Sequence, residues 1–145
     1  KRPVIFIFGV VAQSVIAETP VTHITVFSRG AVMAPSIPNA AITVINITEG
    51  DDINEQAPKF AIDPNDPNGQ TKAAQRIKEW AHSPSGQAHR TRLRQAWRGV
   101  ETLYKCGIEK VPAVAFEGCR YVVYGTSDVR LAVQDYDAFK RQQAQ

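Results

Sequence analysis

The chain has 145 residues, 43% of them hydrophobic and 21% charged, with a formal net charge of +3. That composition suits one globular domain large enough for a core of its own. Nine prolines and nine glycines are too few to signal disorder or low complexity.

The first segment reads differently from the rest. Lys1 and Arg2 are basic, Val4–Ala12 is apolar, and Val15 and Ala17 are small residues at the −3 and −1 positions before Glu18. That order is the signature of a secretory signal peptide. The expectation is a signal over 1–17 and a domain over 18–145. An N-terminal β-strand is the competing reading, since Val4–Phe8 is β-prone. The apolar run is shorter than the ~20 residues a spanning helix needs. Cleavage would leave 15 Lys and Arg against 14 Asp and Glu, a net charge of +1. The apparent pI of about 9.0 then gives little support for direct nucleic-acid binding. Export would also place Cys106 and Cys119 in an oxidising compartment.

Thr22–Ser28 alternates and is β-branched, which predicts a strand. The next stretch, "RGAVMAPSIPN", holds Gly30, Pro35 and Pro38 and reads as a loop. Ala40–Ile47 is almost wholly apolar and predicts a strand buried on both faces. Thr48–Gly69 is the most loop-like stretch, with Asp63-Pro64 and Asp66-Pro67 as turn dipeptides. Ile53, Phe60 and Ile62 are its expected tethers, and the acidic run Glu49–Asp52 reads as a solvated turn.

Two helices are expected next. "QTKAAQRIKEWA" places Ala73, Ala74, Ile77, Trp80 and Ala81 on one face. "HSPSG" interrupts, with Ser83 as cap and Pro84 at the first position of the second helix. There Leu93, Ala96, Trp97, Val100 and Tyr104 form the expected buried stripe, and both tryptophans read as core anchors. "VPAVAF" and "RYVVYG" then form a hairpin around Glu117-Gly118. A final helix comes after it, capped by Thr126 or Ser127, with Asp128 at its positive end. Its expected buried side is Val129, Leu131, Ala132, Val133 and Tyr136. The last six residues read as a frayed tail.

"CGIEKVPAVAFEGCRYVVYG" resembles the second half of a thioredoxin-like domain, where a helix end leads through Gly-Ile to a proline, a hairpin and a closing helix. The resemblance makes Pro112, preceded by Val111, the counterpart of the cis-proline beside the redox site. A packed turn can hold that isomer, because proline lowers the preference for trans to ~0.5–1 kcal/mol. The resulting fold class is α/β and thioredoxin-like, a central mixed sheet with a helical pair between the second and third strands and a C-terminal helix. "KVPAVAFEGCRYVVYGTSDV", behind two helices and a "VTHITVFS" strand, is further similar to thioredoxin-like proteins encoded in integrating conjugative elements. These are associated with the type IV secretion apparatus that moves DNA between bacteria. The similarity is strongest over Ala88–Val133 and weak over Ala31–Asn68. It implies a periplasmic location and a role in conjugation, with no defined catalytic activity.

Thiol chemistry of the thioredoxin type needs two cysteines two residues apart at a helix start, where proximity and the helix terminus lower a thiol's pKa. The corresponding position, Ser28–Ala31, holds no cysteine. An internal Cys106–Cys119 bridge looks difficult, since the strand between them spans ~16 Å along five steps while bridged Cβ atoms lie within ~4.5 Å. Three states stay open: a bridge, two free thiols, or an exposed Cys119 linked to another molecule.

Arg90, Arg94 and Arg98 recur every four residues and share a helix face. They read either as a solvated face or as a docking surface for an acidic partner. His23, His82 and His89 lack metal-site spacing, and no phosphate loop, nucleophile elbow or other cofactor motif is present. The expectation is therefore a protein without cofactor or metal, acting through protein partners of the conjugation apparatus. It would have no direct nucleic-acid contact and no stable membrane insertion after signal cleavage. The expected contact residues are Ser28, Arg29, Val111 and Pro112, with the three arginines as a second surface. The competing expectation is a divergent thiol–disulfide oxidoreductase or isomerase using Cys106 or Cys119.

Overall fold

Strand β1 (Thr22–Ser28) organises the molecule because both its faces are covered, leaving Ile24, Val26, Phe27 and Ser28 buried. The structure is a computed structural model and describes residues 22–145. The expected signal at 1–17 and the junction at Glu18 lie outside the described residues. β1 runs parallel to β2 (Ala40–Asn46), pairing Thr22 with Ala40 through Ser28 with Asn46. On its other side it runs antiparallel to β3 (Ala113–Phe116), with Phe27 opposite Ala113. β3 turns back into β4 (Tyr121–Tyr124), giving the sheet order β2-β1-β3-β4. This mixed four-stranded sheet is the thioredoxin-like α/β arrangement the sequence leads one to expect.

Three helices, not two, lie between β2 and β3: α1 (Glu49–Glu55), α2 (Gly69–His82) and α3 (Pro84–Lys105). α1 falls inside the stretch read as loop. Its seven residues carry one buried apolar side chain, Ile53, so no hydrophobic period announces it. Glu49, Asp51 and Asp52 sit in its first turn, where the helix dipole favours them. Ser83 caps α3 as expected, accepting from the Gly86 amide at 3.2 Å.

The sheet has two covered faces. On one, Ile24, Val26, Val114 and Phe116 pack against Val129 and Ala132 of α4 (Val129–Gln143). On the other, Phe27, Ala113 and Ala115 pack with Ile108 under Leu103 and Cys106 at the end of α3. β2 does not match its expectation. It is an edge strand with half-buried and exposed residues and none fully buried, because it has a strand neighbour on one side only.

The helical stripes are shallower than their periodicity implies. α3 approaches the sheet through Ala96 and Gly99; a Cβ at Gly99 would fall 2.9 Å from Ile45 Cγ2. Trp97 is 52% exposed and Tyr104 76%, so neither is a core residue. Trp97 lies across Gly50 of α1 instead. In α2 only Gly69 and Ala73 are buried, and Ile77 is exposed. Trp80 is half-buried between Phe60 and His89. Ile62, an expected tether, is exposed. In α4 Leu131 is exposed too, and the helix continues to Gln143 where a frayed tail was expected. Its cap is Asp128 itself, whose carboxylate accepts from the Arg130 and Leu131 amides, while Thr126 Oγ1 accepts from the Asp128 amide.

Candidate functional site

β1 ends at Ser28, and Asn46 at the end of β2 ties down the loop that leaves it. One Asn46 oxygen, Oδ1, accepts from the Gly30 amide at 2.8 Å, the Thr48 amide at 3.1 Å and the Thr48 hydroxyl at 2.9 Å. Gly30, at φ +85°, supplies the left-handed turn. Ser28 is 2% exposed and its hydroxyl donates to the Gly30 carbonyl at 2.9 Å. It shapes the loop rather than facing a partner, and Arg29 is the exposed residue of the pair.

The second wall comes from the segment before β3. The peptide Val111-Pro112 is cis, and the Pro112 carbonyl accepts from the Gly125 amide at 2.9 Å beyond β4. Because Phe27 pairs with Ala113, this turn comes to the level of Ser28. The two segments enclose a groove of about 330 Å³. Ile47, Leu103 and Ile108 provide apolar lining; Arg29, Glu109, Lys110 and Val111 line it as well. Three of the four expected contact residues, Arg29, Val111 and Pro112, thus stand at one place with their surfaces at least partly open.

The cysteines lie at the opposite end of β3. Cys106 and Cys119 are bonded, with Cα atoms 5.4 Å apart, and no free cysteine remains. The geometric objection to this bridge fails at Gly107. There the chain reverses at φ +63°, with the Ile108 amide donating to Leu103 and the Gly107 amide to Tyr104, a helix-closing turn of the Schellman type. Residues 107–112 then return along the length of β3, so its span is traversed twice and cancels. Glu117, Gly118 and Cys119 all have positive φ, and that turn swings Cys119 under α3. A four-residue strand separates the bridge from Pro112, on the order of 13 Å.

The hairpin turn is also clamped from the α4 side. The Tyr136 hydroxyl donates to the Glu117 carboxylate, Lys140 stands 3.5 Å from the same oxygen, and the Tyr136 ring stacks on Phe116 at 4.4 Å. Burial, then the neighbouring carboxylate, pushes the Tyr136 phenol up to about 12. The Tyr136 hydrogen bond holds the Glu117 carboxyl below its ordinary value. Sequence reading missed both Asn46 and this clamp. An asparagine two residues before a threonine at a strand end is a faint signal for the first, and a contact spanning nineteen residues leaves no local signal for the second.

Arg90, Arg94 and Arg98 are exposed along α3 as expected, but none lines the groove. Arg98 adds to the positive field that, after Lys105, holds Glu101 below the usual carboxylate range. His82 Nδ1 lies 2.7 Å from the Lys78 carbonyl and His89 packs on Trp80, while His23 is exposed on β1. Among the described residues no helix is long and apolar enough to cross a membrane.

Residues 37–142 match the sequence pattern of a family described as a protein of unknown function, DUF1525. The chain belongs to that family. Neither a curated protein nor a solved structure matches it. The DUF1525 stretch begins just before β2 and closes near the end of α4. It therefore includes the disulfide, the Val111-Pro112 turn and Asn46, while Arg29 and β1 precede it.

Proposed function

We propose that this chain is a non-catalytic, periplasmic accessory subunit of the conjugative type IV secretion system of an integrating conjugative element, acting through protein–protein contact. The observation that carries this reading is a separation: the groove between Arg29 and Val111 holds no sulfur, and both cysteines are committed to each other at the far end of β3. A thiol-exchange enzyme needs an accessible thiolate next to its substrate. The disulfide suits an oxidising compartment. The link to conjugation rests on the resemblance of "KVPAVAFEGCRYVVYGTSDV" to proteins of such elements.

In this reading an extended partner segment lies along the Val111-Pro112 turn and pairs with its backbone. An apolar side chain would enter toward Ile47, Leu103 and Ile108, and Arg29 and Lys110 would favour an acidic neighbour. The test is capture of partners from the periplasm of cells carrying the element, alongside transfer frequency. Arg29→Glu with Lys110→Glu should abolish capture and lower transfer, while Cys106→Ser with Cys119→Ser should leave transfer largely intact wherever the protein still accumulates. Transfer that depends on the cysteines at normal protein level, and not on the groove, would favour the thiol–disulfide reading instead.

A further inference from the structure

β2 forms one edge of the sheet, and its outer side is bare among the described residues. The Ile47 amide donates to Ser28, and the Asn39 carbonyl accepts from Thr22. In this parallel register the backbone groups of Ala41, Thr43 and Ile45 therefore face β1, and those of Ile42 and Val44 face outward. No hydrogen bond from another described residue reaches those outward groups.

Exposed edges are usually blunted by a charge, a proline, a bulge or a covering segment. "AAITVIN" has no charged residue and no proline, and it pairs with β1 without a bulge over all seven positions. Its apolar side chains are also under-covered. Ala40, Ile42 and Val44 stand half-buried beside Ile37 on the α4 face. The connection from β1 to β2 crosses as a loop with no helix, so α4 supplies all the helical residues packed on that face.

We propose that β2 pairs antiparallel with β2 of a second copy of this chain, about a twofold axis at Thr43, joining the two sheets edge to edge. That register lets Ile42 and the second copy's Val44 exchange both backbone hydrogen bonds, and the reverse pair does the same. The Ala40 carbonyl meets the Asn46 amide, so the outward groups of the strand's middle are all used. Thr43 faces its own counterpart as a threonine–threonine pair, a favourable cross-strand combination. The absence of charge argues for self-pairing. A strand that meets itself across a twofold axis sets like residues near like, and any central charge would repel its copy. A strand selecting a foreign partner is helped by charges along its length, and β2 carries none; the nearest pocket, at Ala40, lies at the strand's start on the α4 face. The merged α4-side surfaces also bring Ile42 and Val44 of both copies into one apolar strip.

The test uses the full chain. Residues facing each other in a non-hydrogen-bonded antiparallel pair have Cα atoms ~4.5 Å apart, within disulfide reach. Thr43→Cys should therefore give a covalent dimer under mild oxidation. Ala41→Cys should not, because two Ala41 positions would lie ~13 Å apart along the strand. Both side chains are exposed, so neither change touches the core. Thr43→Lys sets two ammonium groups against each other and should reduce the sedimenting mass from two chains to one, with the thermal unfolding of the monomer retained. A wild-type chain that sediments as a monomer at all concentrations overturns the proposal; a foreign strand or the chain's own first residues on this edge would give that result. Equal cross-linking at both cysteine positions, or a dimer that survives Thr43→Lys, overturns it as well.

Discussion

β3 and α2 stand at opposite ends of what burial means in this protein. All four residues of β3 are buried, although none is larger than Phe116. α2 is more than three times as long and buries only Gly69 and Ala73. The difference is the number of layers each meets. β3 has strands on both sides and helices on both faces, whereas α2 meets only α3 and the loop at Phe60–Asp63 and keeps solvent on most of its surface. Amphipathic spacing in α2 and α3 records a preference for one side; how deep that side goes depends on what the fold places against it.

Substitutions should expose this contrast. Phe27→Ala, at 0% exposure between the sheet and α3, should cost about 3–5 kcal/mol by the lost transfer and cavity terms, read from urea midpoints. Replacing both cysteines by serine should cost ~3 kcal/mol, the expected effect of opening a loop of this size, and lower the melting temperature without abolishing the sheet. Gly86→Ala tests the corner between α2 and α3. A Cβ there would lie 2.0 Å from the Trp80 carbonyl oxygen, so the corner must open at a cost of about 1–3 kcal/mol, with a change in Trp80 fluorescence. Ile77→Ala on α2, at 48% exposure, should shift stability by less than about 0.5 kcal/mol. An effect there as large as that of Phe27→Ala would mean α2 is packed in a way the contrast denies.

The clamp between the hairpin and α4 predicts a pH signature at both ends of the scale. Tyr136 is raised from 10.0 to about 12, so the folded state holds its proton more tightly than the unfolded chain. Its stabilisation is complete below pH 10 and disappears as pH rises toward 12. Phenolate absorbance should show one late-titrating tyrosine that is missing from Tyr136→Phe. Glu117 is lowered from 4.5, so its share is present above that value and is lost as acid protonates the carboxylate. Glu117→Gln should flatten that acid-side slope.

Much of the sheet was legible because its residues obey local rules. Thr22–Ser28 alternates, and Gly118 marks the hairpin turn. The cis peptide could be anticipated through the resemblance around Val111-Pro112, not from the dipeptide itself. The disulfide was not legible, because a single left-handed residue, Gly107, decides whether the next segment runs forward or returns. α1 was hidden because one buried isoleucine in seven residues makes no period. Trp97 and Tyr104 do not join the core because the side of α3 that meets the sheet runs through Gly99, Leu103 and Cys106, and these two residues stand off that line. Of the expected contact residues, Arg29 and Val111 line one groove. Ser28 was assigned to the surface although its hydroxyl is turned into its own loop.

A thiol-exchange assay on the folded chain reaches the central issue most directly. With Cys106 and Cys119 bonded at the end of β3 away from the groove, titration should find no reactive thiol in the folded or the unfolded chain until the bridge is reduced. Insulin reduction in the presence of a dithiol should run at the uncatalysed rate. Catalytic turnover that disappears on Cys119→Ser would contradict a binding role and return the chain to thiol chemistry.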